Sequence, residues 1–319
     1  MNVRAIGIVA GVVVLVAASG FAGGGSGPQA GAGATTAVPT ALEWTLRLNE
    51  TRGPVRVADV SSPLGKGASS EILGGPANGS EHGYILFTRM APGAKGPALF
   101  TLPDNHLLLV LEGKMSVQIG TDTFVAEPRT AIVLPGGIPH RVWNADAVEV
   151  RALEVIAPGS SRDLLSMLTP AQPARVENAA QYIRKGNIPV AGDLKPGLNG
   201  YTFASRTLGT AQQMRIDSTL AGSGGPRTHV HKFEQVYFEI EGKTTLTYGL
   251  VSYELPKYSI AIIPPGVVHT NNNQTTAPER HVTLLLDELA DPNEPLDIEV
   301  EFKGAVGGTR PAGGQAPPR

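Results

Sequence analysis

Along this chain the apolar positions fall in short β-branched runs separated by tight turns. Val110-Leu111 and Ser116–Ile119 flank one Glu-Gly-Lys turn; Val236–Ile240 and Thr244–Tyr248 flank a second. Runs of that length, punctuated by Gly, predict strand–turn–strand units. Helical periodicity is scarce. Val176, Ala179, Ala180 and Ile183, closed by Gly186, predict one short helix. Many short strands with regular turns favour a sandwich or a barrel, where closure removes exposed edges.

The two turns belong to an internal repeat. Leu111–Gly120 matches Ile240–Gly249, and Gly242 follows Gly113 by 129 residues. The same offset relates Gly96-Pro97 to Gly225-Pro226, Pro135 to Pro264, His140 to His269 and Asn144 to Asn273. A constant spacing over this stretch means two copies of one fold unit. The pattern places them at residues 41–160 and 191–303, joined by a connection at 161–190 that Pro170, Pro173 and Pro189 interrupt.

The ends read differently. Arg4 precedes a wholly apolar run, Ala5–Ala18, followed by small residues at 18–22. A run that short suits a secretory signal at 1–22 better than a membrane span, which needs about 20 residues. The expectation is an exported, periplasmic or secreted protein that keeps no stable membrane insertion once the signal is cleaved. Gly23–Thr40 reads as a flexible linker and residues 304–319 as a disordered tail. Lys and Arg number 26 against 28 Asp and Glu, with no basic patch, so nothing points to nucleic acid. Cysteine is absent, which excludes disulfides, thiolate ligands and a cysteine nucleophile.

The chemistry concentrates in the second copy. His229 and His231, two apart in a strand-like setting, share one face. His269 follows the Pro264-Pro265-Gly266 turn, from which a second strand can bring it back beside them. Three imidazoles from two strands form a ligand set for one divalent ion (Fe, Mn, Cu, Ni or Zn), with a position left open. Protons should compete for such ligands below about pH 6.

The repeat unit resembles the cupin superfamily. That family's first motif runs Gly, five residues, His-x-His, three or four residues, Glu, six residues, Gly. Its second runs Gly, five residues, Pro-x-Gly, two residues, His, three residues, Asn. His229, His231, Gly242, Pro264, Gly266, His269 and Asn273 match it; Gln235 stands where the family has Glu, and Tyr258 where it has Gly. The resemblance implies an all-β fold of two tandem cupin barrels (the double-stranded β-helix or jelly roll), similar to quercetin-dioxygenase-like and germin-like members. It implies His229, His231 and His269 as metal ligands. The fourth is open between Gln235, which has inward parity, and Glu234, which needs a bulge to reach the metal. Tyr237 and Glu239 share the inward parity and are candidate catalytic residues; an inward Glu239 is costly without a partner, so it sits either at the barrel mouth or serves as acid or base. Phe233, Tyr237 and Phe238 add aromatic surface. In the first copy Phe100 and Leu102 replace the His pair, leaving His106 and His140, a degenerate site.

The function this implies is a mononuclear metal-dependent dioxygenase acting on a small organic, aromatic or apolar substrate at the second barrel. The alternative is a non-catalytic bicupin that binds a small molecule or a structural metal. Either form is compatible with a homodimer.

Overall fold

Among the described residues the predicted strands assemble into four sheets. A computed structural model describes residues 44–157, 163–189, 191–195, 198–287 and 294–301. The expected signal and linker, and the tail at 304–319, lie outside the described residues. No helix among the described residues is long and apolar enough to cross a membrane.

Each copy is a large sheet facing a smaller one, and the strand order repeats. The first pairs a seven-stranded with a five-stranded sheet, the second a six-stranded with a five-stranded one. Central strands Asn105–Glu112 and Glu234–Glu241 occupy equivalent places, each paired antiparallel with a long partner, Val150–Ala157 and Glu279–Leu286. Both faces of these central strands are buried, because they serve two cores. Leu108 and Val110 turn into the first barrel, packed with Met115, Val117 and Val142 of the smaller sheet. Leu107 and Leu109 turn the other way and share one cluster with Val236, Phe238, Ile260, Val282 and Leu284 of the second copy. The large sheets therefore pack back to back. Fully burying a side chain such as Phe238 there contributes about 1.5–3 kcal/mol.

The copies also exchange strands. Val55–Val57, near the start of the first copy, pairs with Ser259–Ile263 of the second. Ile183–Lys185, in the connection, pairs with the equivalent strand Thr130–Leu134 of the first. Each large sheet thus has one edge covered by a short strand from outside its own copy, which protects it from edge-to-edge association. The short helix predicted over 176–183 is replaced by a single 3-10 turn, Ala179–Tyr182, and this strand. Val176, Ala179 and Ile183 do face a core, that of the first barrel, while Ala180 is exposed. Pairing with the open sheet edge satisfies backbone groups that an isolated short helix would leave weakly held.

Tyr258, at the family's Gly position, adopts a left-handed backbone with φ 64°, and the equivalent Arg129 has φ 67°. The turn demands this conformation, and glycine adopts it freely. Tyr258 is held there by tertiary contacts instead: its ring lies 5.0 Å from Phe87, and its hydroxyl bonds to Glu112 of the first copy.

Candidate metal centre

The two-residue strand His229–Val230 pairs with His269–Asn272 so that His229 and His269 stand opposite each other. His231 completes the group, and the three rings lie 4.3–4.9 Å apart between centroids. Each ring is fixed through Nδ1, which donates to a backbone carbonyl: His229 to Arg227 at 2.6 Å, His231 to Leu296 at 2.7 Å and His269 to Val267 at 2.9 Å. With the protons on Nδ1, all three Nε2 lone pairs are free to converge.

They do converge, and on one oxygen. Gln235 Oε1 lies 2.9 Å from His231 Nε2 and 2.7 Å from His269 Nε2, while His229 Nε2 is 3.1 Å from His231 Nε2. Gln235 Nε2 is turned away and donates to the Tyr237 hydroxyl at 3.3 Å, which fixes the orientation of the amide. Four acceptors therefore face one another with no hydrogen between them. Such an arrangement is repulsive alone and fits a cation at its centre. Burial pushes the His231 imidazole down and the His269 imidazole down to about 3. Proton competition is thereby displaced to lower pH than the value near 6 expected from free imidazole.

Glu234, the alternative oxygen ligand, faces away. The strand is regular at this point, and its register shift comes only between Glu239 and Glu241. The Glu234 carboxylate accepts from Ser80 Oγ at 2.5 Å and from the Glu81 amide at 3.1 Å, on the first copy. Phe233 stacks on His231 at 4.7 Å, but Phe238 points into the core between the barrels and not toward the site. Glu239 is not at the barrel mouth: it is wholly buried, opposite His281 in register.

One contributor had no motif to announce it. The strand Ile298–Glu299 pairs with His229–Val230 and lays the segment before it over the histidines. That segment supplies the Leu296 carbonyl and places Asp297 Oδ1 3.6 Å from His231 Nδ1 and 3.9 Å from His229 Nε2. Asp297 remains partly open to solvent. Only the pairing of two sequence-distant two-residue strands brings it there.

In the first copy the corresponding histidines satisfy each other. His140 Nδ1 donates to the Ile138 carbonyl at 2.7 Å, His106 Nδ1 lies 2.8 Å from His140 Nε2, and His106 Nε2 lies 3.0 Å from Glu154. Phe100 packs on His140 at 4.4 Å, and Leu164, Met167 and Leu168 cover Phe100 and Leu102. Every ring nitrogen has a partner, and the group closes without a metal.

The comparisons agree with this architecture. The family model for the cupin domain matches residues 86–156, within the first copy. No curated protein matches the sequence. Among solved structures, oxalate decarboxylase of Bacillus subtilis aligns at 15% identity with a TM-score of 0.55, covering 75% of this chain and 78% of that one. A structure of it described for its Mn(II) centres aligns at 15% identity and TM-score 0.54, over 76% and 79% of the two chains. One at pH 4.6 gives 15%, 0.54, 75% and 77%. At this identity the likeness is one of fold. The cupin-domain match falls within the first copy, and the second copy repeats its strand order at a constant sequence offset.

Proposed function

We propose that the second barrel holds one divalent metal ion on His229, His231, His269 and Gln235 and works as a mononuclear metal-dependent dioxygenase on a small organic anion. The observation that carries this is the convergence of four buried side-chain acceptors on one point. A redox-active ion held there supplies the electron transfer that O₂ chemistry requires. All four ligands are neutral, so the centre keeps the ion's full charge and attracts an anionic substrate. Oxalate, the substrate named for the aligned Bacillus enzyme, is a small carboxylate of that class.

The surrounding residues have separable tasks. Tyr237 positions Gln235 through the bond to its amide nitrogen and is itself within 3.5 Å of Asn271. Phe233 forms a flat apolar wall beside His231. Asp297, at the solvent side, is placed to give or take a proton.

A second reading has its own support. The four donors are only 1–5% exposed beneath the segment that carries Leu296, as in a closed, structural or binding metal site. Elemental analysis combined with oxygen uptake on small carboxylic and aromatic acids separates the two. Iron, manganese or copper with substrate-dependent oxygen uptake supports the dioxygenase; zinc without turnover supports the binding module. The charged start and short apolar run also support export. N-terminal sequencing from the native host should find a chain beginning near residue 20–23, and an intact Met1 in the cytosol refutes it.

A further inference from the structure

A second polar group lies deeper in the same barrel. Glu239, Glu279 and His281 bring one ligand atom each within 4.8 Å of one another. All three are buried, at 0%, 0% and 2% exposure. His281 Nδ1 lies 2.9 Å from Glu279 Oε2, which leaves Glu279 Oε1 and both Glu239 oxygens without a hydrogen-bond partner. Thr219 and Thr244 adjoin the Glu279 carboxyl and favour its charged form, although neither hydroxyl finds a well-aligned hydrogen-bond partner. Buried carboxylate oxygens left unpaired in this way are costly, and so are the buried hydroxyls beside them.

The first barrel shows that the fold does not need this group. At the equivalent positions, 129 residues earlier, stand Val110, Val150 and Ala152, with Met90 and Met115 in place of the threonines. The strand register agrees, since Val110 is followed opposite Ala152 as Glu239 is opposite His281. The same space is filled there by a close-packed apolar core. Three ionisable residues and two hydroxyls in its place are a donor set, not a packing solution.

We infer that Glu239, Glu279 and His281 form a second divalent-cation site, separate from the three-histidine centre and set in the interior of the second barrel. Two carboxylates and an imidazole, with threonine oxygens adjacent, suit a first-row transition ion such as Mn(II) or Zn(II). An ion would neutralise the two carboxylates inside a sealed, low-dielectric interior. Without one, the group stays neutral only by holding protons. Burial and the neighbouring Glu279 push the Glu239 carboxyl up, while burial alone would lower His281, which Glu279, Asp217 and Glu239 instead hold up at about 9. Tyr237, whose ring is 4.9 Å from His281, is the further titratable group of the facing strand that contacts this histidine; Glu234 and Glu241 of that strand bond elsewhere, to Ser80 and Arg280.

This site does not depend on the proposed function of the upper centre, and one experiment distinguishes the two. The full chain is produced in medium supplemented with Mn(II) alone, and bound manganese is counted for the parent protein, His231→Ala and Glu239→Gln. The expected result is two ions for the parent and one for each variant. One ion in the parent, kept by Glu239→Gln and lost by His231→Ala, overturns the inference. One ion kept by His231→Ala and lost by Glu239→Gln supports it while refuting the upper centre. Should Glu239→Gln fail to fold, Glu239→Val, the residue the first barrel uses, replaces it. Thermal midpoints give an independent reading: Mn(II) should raise that of His231→Ala and leave that of His231→Ala with Glu239→Val unchanged. A rise in both overturns the site.

Discussion

The two barrels share strand order, turn geometry and buried asparagines. Asn144 and Asn273 even make equivalent bonds to the carbonyls of their own loops. What differs is the inward face. In the first barrel it is Met90, Val110, Met115, Val150 and Ala152, closed at the mouth by Leu164, Met167 and Leu168. In the second it is Thr219, Glu239, Thr244, Glu279 and His281, and the covering segment carries Asp297 where the first has Leu168. One backbone thus supports either an apolar plug or a column of polar groups. The barrel itself does not require the polar residues, because the apolar set folds the same strand order.

The strongest way to break that comparison is to move a charge across it. Val110→Glu puts the second barrel's residue into the first without its partners. An uncompensated buried carboxylate should cost about 3–5 kcal/mol, read as a lower midpoint in urea unfolding. A cost under about 1 kcal/mol would mean the interiors are not as different as they look.

Next comes the contrast between the histidine groups. His231→Ala should remove the metal equivalent held by the upper centre, whereas His140→Ala should leave it in place, because His106, His140 and Glu154 already satisfy one another. Elemental analysis decides, and loss on His140→Ala alone would reverse the assignment.

Acid sharpens the comparison further. Burial, followed by the nearby His106, holds His140 down at about 3, below the ordinary 6.5. The unfolded chain takes up this proton below about 6.5 while the native state refuses it until about 3. Native stability is therefore lost as pH falls through that window, by up to about 1.4 kcal/mol per pH unit for one group. His140→Leu should flatten this part of a stability–pH curve; an unchanged slope would exclude His140 as its source.

The smallest effects should come from Gln235. Gln235→Glu adds an anionic oxygen where a neutral one now sits, so metal affinity should rise in a competition titration. Gln235→Ala should weaken binding only modestly, since three imidazoles remain. Complete loss of metal would make the amide as indispensable a ligand as the imidazoles.

Much of this was legible in the sequence. The repeat showed as a constant offset, and the upper centre as His-x-His and Pro-x-Gly-x-x-His, because strand parity and turn length are local properties that spacing determines. Gln235 was likewise placed inward by parity alone. What parity could not say is what lies on the other face of a strand buried on both sides. Phe238 reads in the sequence as aromatic surface near the site, whereas with Val236 it packs against the second large sheet. The strand exchange of Val55–Val57 and Ile183–Lys185, the Leu296–Asp297 cover and the Glu239–Glu279–His281 group all join residues from distant strands. Their proximity is set by sheet closure and by the packing of one barrel on the other, which no local pattern encodes.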